Sequence, residues 1–307
     1  MPEKALSKRL KLSLDELRMQ TLGTQVLLGF QLQSLFQPGF VHAGMEEKVA
    51  DGISLAAILI AFTMLIVPPS QHRIVAAWEA TRSLLRTSDR CAEAALLAMA
   101  VGLSAIAISL SEHRGSTHSE LIGLSVGAFA LLTWFGIGAA MKRPARVQLP
   151  ERETVDLHTK IDQMLTEARV ILPGVQAMLG FQLIVLMTDA FERLPVLYRD
   201  LHLVGLALTG VSMALLLAPA AIHRLAFDGE DDGRFHAIGS RLVTAALTPL
   251  ATAMALEISV GTWKLTGDEP ASIWAGACTL CMMLGAWYAV PLAMRKRAHA
   301  RSPDVSN

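Results

Sequence analysis

The chain has 307 residues, of which 52% are hydrophobic and 18% charged, whereas a soluble domain carries about 25% charged residues. Its 27 basic and 27 acidic residues cancel, so no global field draws in nucleic acid. Three cysteines, Cys91, Cys278 and Cys281, are too few for a disulfide framework. The apolar residues gather in blocks of roughly 18–22, the length a helix needs to cross a bilayer core, and several blocks are apolar all round rather than on one face. The expected fold class is all-α, a polytopic membrane protein.

In chain order, residues 1–18 form a charged cytoplasmic segment without the short apolar core and small-residue cleavage site of a signal peptide. Transmembrane helices are predicted at 19–38, 53–69, 92–110 and 121–141, the first doubling as an uncleaved anchor. A polar linker over 142–169 carries Pro144 and Pro150 and is expected to hold a short amphipathic helix. Four more spans follow at 170–188, 201–219, 242–263 and 272–292, then a cytoplasmic tail over 293–307. With the N-terminus inside, 22 Lys and Arg residues fall on the cytoplasmic side and five (Lys48, Arg114, Arg193, Arg199 and Lys264) on the other. That asymmetry puts both termini in the cytoplasm of an inner-membrane protein and requires an even number of spans.

The chain repeats itself. A shift of 151 residues lays Glu16–Arg73 on Glu167–Arg224 without a gap, and 17 of the 58 pairs are identical. The run Leu28-Gly29-Phe30-Gln31-Leu32 recurs as Leu179-Gly180-Phe181-Gln182-Leu183, and Pro68-x-x-x-His72-Arg73 recurs as Pro219-x-x-x-His223-Arg224. Two four-helix repeats, 19–141 and 170–292, are therefore expected. Four is even, so both face the same way, as parallel repeats about an axis along the membrane normal.

The candidate functional residues lie on the repeated helices. Gln25 and Gly29 share a strip with Arg18, and Gln176 and Gly180 share one with Arg169, because residues four and seven apart return to one helix face. An intramembrane amide facing lipid is costly, so Gln25 and Gln176 should turn inward, as a helix contact or as a polar site lined by both copies. Gln31 and Gln182 lie about 120° round the same helices, at about 100° per residue. Glu257 is the one carboxylate placed well inside a predicted span, with Ile106 at its counterpart. At the cytoplasmic face, Glu16, Arg18, His72 and Arg73, and again Glu167, Arg169, His223 and Arg224, are expected to converge, forming a cluster able to pass or sense protons through histidine. Cys278 and Cys281 read as small packing residues. His113, His118, Glu112 and Glu120 fall in one outer loop with nothing to fix a metal-binding geometry. Paired haem-ligating histidines come from facing helices, and His72 and His223 sit at helix ends, so no cofactor is expected.

The Glu167-x-Arg169, Pro173-Gly174-x-Gln176 and Leu179-Gly180-Phe181-Gln182 opening, followed by Ala218-Pro219-Ala220-Ala221-Ile222-His223-Arg224, resembles a family of bacterial membrane proteins of unknown function. Its members are usually a single four-helix unit, and some carry a sodium:proton antiporter designation. The likeness covers about residues 157–292 best. The first copy departs from it, with Leu22 in place of Pro173 and Pro69-Ser70-Gln71 in place of Ala220-Ala221-Ile222. The resemblance implies a fused pair of such units. No enzyme motif is present. The function expected is a transporter or conductor of protons or a small cation; the alternative is a membrane sensor or accessory subunit of a membrane complex. The partners expected are the bilayer and such a cation, with no nucleic acid and no oligomer specified.

Overall fold

The computed structural model describes residues 5–140 and 149–300. Lys142, Arg143 and Arg146 of the linker, and the tail beyond 300, lie outside the described residues. The first copy contains α1 (Ala5–Ser34), α2 (Met45–Ile74), α3 (Arg82–His113) and α4, which starts as Ser119–Leu131, loosens into a π-helical stretch over Leu132–Gly136 and ends as Ile137–Ala140. The second contains α5 (Leu157–Leu186), α6 (Val196–Ala226), α7 (Gly233–Thr266) and α8, made of Glu269–Leu284, a π stretch over Gly285–Ala289 and Val290–Ala300. The π stretches fall at matching places and hold Trp134-Phe135 and Trp287-Tyr288. They repeat although the overall sequence match has faded there.

Seven of these helices, α2 to α8, are long and apolar enough to cross a membrane. α1 falls short on composition: its first half is charged, and Gln20, Gln25, Gln31 and Gln33 dilute the second. It packs against α5, α2 and α3 on one side, while Met19 and Phe30 on its other side stay exposed. The large apolar side chains left uncovered, such as Leu124 and Phe129 on α4 and Leu203 and Val211 on α6, suit a lipid surround.

Within each copy the packing repeats: first helix on second and third, second on third, third on fourth. One core runs through both copies, joining Leu28, Phe62 and Ile66 to Ile171, Val175, Leu250 and Trp287. Trp287 fixes the join. Its ring meets Phe62 edge-on at 5.7 Å, and its Nε1 donates to the Thr63 carbonyl at 3.0 Å.

The seam between α1 and α5 does not obey the symmetry of the sequence. Gly29 receives the ring of Phe181, where an added Cβ would lie 2.0 Å from Cδ2. Gly174 receives Gln25, where a Cβ would lie 1.6 Å from Oε1. Their counterparts Gly180 and Gly23 face open space. α2 packs on α7 and the end of α8, and α6 makes no comparable contact with α3 or α4. The second copy is thus set off-axis against the first.

In the described part of the linker, 149–156 is an extended strap and α5 runs unbroken from Leu157 into the predicted span. Ala80 and Thr81 (β1) pair antiparallel with Glu153 and Arg152 (β2). The Glu153 carboxylate accepts from the Leu6 and Ser7 amides at 3.2 and 2.9 Å, satisfying donors that a helix start leaves free. Asp156 caps α5 by accepting from the Thr159 amide at 2.8 Å, which holds its carboxyl below the usual value.

Candidate functional site

Two clusters of buried polar groups, one per copy, lie at the end where α1 meets α2 and α5 meets α6. In the second copy three helices contribute. Gln182 of α5 donates from Nε2 to Glu257 Oε1 at 2.8 Å, and His202 of α6 lies 2.9 Å from Glu257 Oε2 through Nδ1. His202 Nε2 lies 3.0 Å from the main-chain oxygen of Gln182. All three side chains are buried. Gly205 makes room for the acid, since a Cβ there would lie 2.9 Å from Glu257 Oε1. Phe36 and Phe191 wall the imidazole at centroid distances of 6.5 and 5.3 Å.

The protonation of this cluster follows from its partners. A carbonyl oxygen only accepts, so His202 Nε2 carries hydrogen. One further proton lies between Nδ1 and the carboxyl group. The pair is neutral overall whether it is imidazolium with carboxylate or imidazole with carboxylic acid. Removing that proton would set a carboxylate against a nitrogen lone pair away from water, which a low-dielectric site strongly opposes.

The first copy carries the related cluster with different chemistry. The register that lays Gln31 on Gln182 lays Asp51 on His202. Gln31 Nε2 donates to Asp51 Oδ1 at 3.0 Å, and Ser109 lines the same cavity as this carboxyl group. One turn earlier on α2, Glu47 Oε1 meets His113 Nδ1 at 3.0 Å. Gln31, Glu47 and Asp51 are all buried, yet they do not pack solid. Together with Phe30, Phe40, Ser109 and His113 they line a cavity of about 660 Å³. The pair Glu47/Asp51 and the pair Ser109/His113 each stand four residues apart, so each projects from one helix face. Among the described residues no three His, Cys, Asp or Glu side chains converge in a way that could hold a metal ion.

The structure sorts the expected site residues into three groups. Gln31, Gln182 and Glu257 lie in these clusters. Gln25 and Gln176 do not share a site: Gln25 is fully buried against Gly174 with neither amide atom hydrogen-bonded, and Gln176 is exposed. An apolar core runs between the copies, with the rings of Phe30 and Phe181 4.5 Å apart, and Gln25 and Gln176 do not meet there. The off-axis seam is the reason, because it turns the two glutamines toward different surroundings.

The charged ends also converge differently. One mixed cluster forms, and it crosses between copies. Arg73 Nη1 meets Glu167 Oε2 at 2.5 Å, and His72 Nδ1 lies 3.6 Å from Oε1. Both partners of the Arg73 pair are buried, which strengthens the attraction and makes loss of either one costly. Glu16, Arg169 and Arg224 are exposed, Arg18 pairs with Asp15, and His223 stacks on Phe235 at 4.4 Å. Among the described residues the second cluster does not form: α5 sits beside the end of α2, while no described helix stands in that place beside the end of α6.

Asp51, Glu47, Ser109 and His202 are candidate site residues that the sequence reading did not pick out, and His113 entered it only as part of an outer-loop group. The signal was available. α2 begins at Met45 rather than 53, so Asp51 lies within the helix, and the 151-residue shift that matches the glutamines also pairs Asp51 with His202. A comparison with curated proteins and with solved structures finds no match. The family of unknown function DUF6328 matches twice in tandem, over residues 1–138 and 150–291, and this integral membrane protein of two fused copies belongs to it.

Proposed function

We propose that the protein crosses the inner membrane with eight helices, both termini cytoplasmic, and handles a proton or small cation at the Gln31–Asp51 site of its first copy. The charge asymmetry of the loops supports the orientation. α1, packed against α2, α3 and α5, supplies the eighth crossing. The observation that carries the functional reading is Asp51: a buried carboxyl group hydrogen-bonded to the neutral amide of Gln31, on the wall of a cavity large enough for a solvated ion or a small organic cation. His113 serves the neighbouring Glu47, which leaves Asp51 to be neutralised by a proton or an incoming cation. An ionisable group at membrane depth is a functional candidate because its burial is otherwise unfavourable.

Flux measured in proteoliposomes tests this. Wild-type protein should relax an imposed proton or monovalent-cation gradient, and Asp51→Asn, folded and equally inserted, should abolish it. Absence of flux from folded wild-type protein under every gradient overturns the transport reading and favours a sensor or accessory subunit. Unchanged flux in Asp51→Asn overturns the site.

A further inference from the structure

A second cavity lies on the other side of α2, between α2, α3 and α4, with a volume of about 780 Å³. That is within the range of sites for drug-sized ligands, about 300–1,000 Å³. Small residues open it: Ala100 and Ala105 on α3 and Gly127 and Ala128 on α4 stand where larger side chains would close the gap, and Val49, Ile53, Leu97 and Leu124 give it apolar walls. Its charged lining residues are all acidic and all at one end: Glu46 in the first turn of α2, Glu112 in the last turn of α3 and Glu120 in the first turn of α4. Among the described residues none of the three is in an ion pair; Glu112 accepts from the Ser119 hydroxyl. Glu46 and Glu120 stand at helix starts, where the helix dipole favours an acid. Glu112 stands at a helix end, where the dipole opposes it, so helix stability does not account for the trio.

We infer that this cleft binds an amphipathic amine, with its hydrocarbon body between α3 and α4 and its cationic head among Glu46, Glu112 and Glu120. Charge complementarity selects that occupant. A neutral acyl chain would fill the apolar part and leave three carboxylates unmatched. A phosphate or sulfate head would meet three like charges. An ammonium group neutralises the acidic end while its chain removes the apolar walls from water or lipid disorder. The site is independent of Asp51, which faces the other cavity.

The test uses the full chain in phosphatidylcholine nanodiscs and radiolabelled dodecyltrimethylammonium, with binding to empty nanodiscs subtracted. Saturable binding near one per chain is expected, displaced by unlabelled dodecylammonium and not by dodecyl sulfate. The combined Glu46→Gln, Glu112→Gln and Glu120→Gln variant should bind at least tenfold more weakly. Should that variant fold poorly, Ala128→Trp, at an exposed helix position on the cleft wall, fills the space without touching the acids and should weaken binding to a similar extent. Non-saturable uptake, equal displacement by dodecyl sulfate, or wild-type affinity in both variants would overturn the assignment.

Discussion

The two copies place a glutamine at the same point of the same helix and surround it with opposite answers to one problem. In the second copy Gln182 and His202 both hydrogen-bond to Glu257, which shares one proton with His202, and aromatic rings wall the imidazole. In the first copy Gln31 meets Asp51 beside an open cavity, and the histidine serves a different acid. Duplication explains the difference: once one copy carries the packing, the other is free to keep a polar site that packing alone would remove. The closed cluster is a means of placing an acid in a membrane protein at little cost, and the open one leaves an acid needing a partner.

Substitutions that treat the copies unequally sharpen this contrast. The largest effect is expected at the charged ends. Arg73→Met leaves Glu167 buried without its cation and should cost about 3–5 kcal/mol, read as a lowered melting temperature in detergent, while Glu16→Gln at the equivalent exposed site should stay within about 0.5 kcal/mol. Equal losses would restore a symmetric arrangement. Next come the two clusters. Glu257→Leu strands His202 Nδ1 and the Gln182 amide and should destabilise by roughly 2–4 kcal/mol, the cost of orphaning two buried polar groups. Asp51→Asn keeps shape and hydrogen bonding and should cost less than about 1 kcal/mol. A larger loss at Asp51 would mean that the open cluster is structural too.

Smaller again is the glycine pair. Gly174→Ala drives a methyl group into Gln25 and should cost about 1–3 kcal/mol as overpacking, whereas Gly180→Ala meets open space and should be neutral or gain a few tenths of a kcal/mol through helix propensity. An effect of opposite sign to the losses is expected for Gln25→Leu. It removes two unsatisfied buried polar atoms and should leave stability unchanged or raise it by about 1 kcal/mol. A clear loss of stability would show that the amide has a partner on which the fold relies.

How far the sequence reached is clearest in α1 and α5. Their existence as helices, their repeated Leu-Gly-Phe-Gln run and the candidacy of Gln31 and Gln182 for a polar site were legible, because an amide in an apolar block must find a partner wherever the helix sits. Gln25 and Gln176 are matched just as well in sequence, yet one is buried against glycine and the other is exposed. Glu257 was legible as a lone acid in a long apolar stretch. Asp51 was not, because it lies near the start of α2, where hydropathy alone blurs loop into helix.

The sequence by itself determined the apolar helices, the tandem duplication and the set of polar residues that require partners. Each is a property summed along the chain or copied within it, so each survives without knowledge of the neighbours. Only the tertiary structure decided that Arg73 reaches across to Glu167, that an apolar core joins the copies, and that one glutamine cluster closes while the other opens on a cavity. Those outcomes depend on how far each helix is rotated and shifted against the next. Two copies of the same residues cannot encode that difference on their own, because it arises from the unlike surfaces they meet.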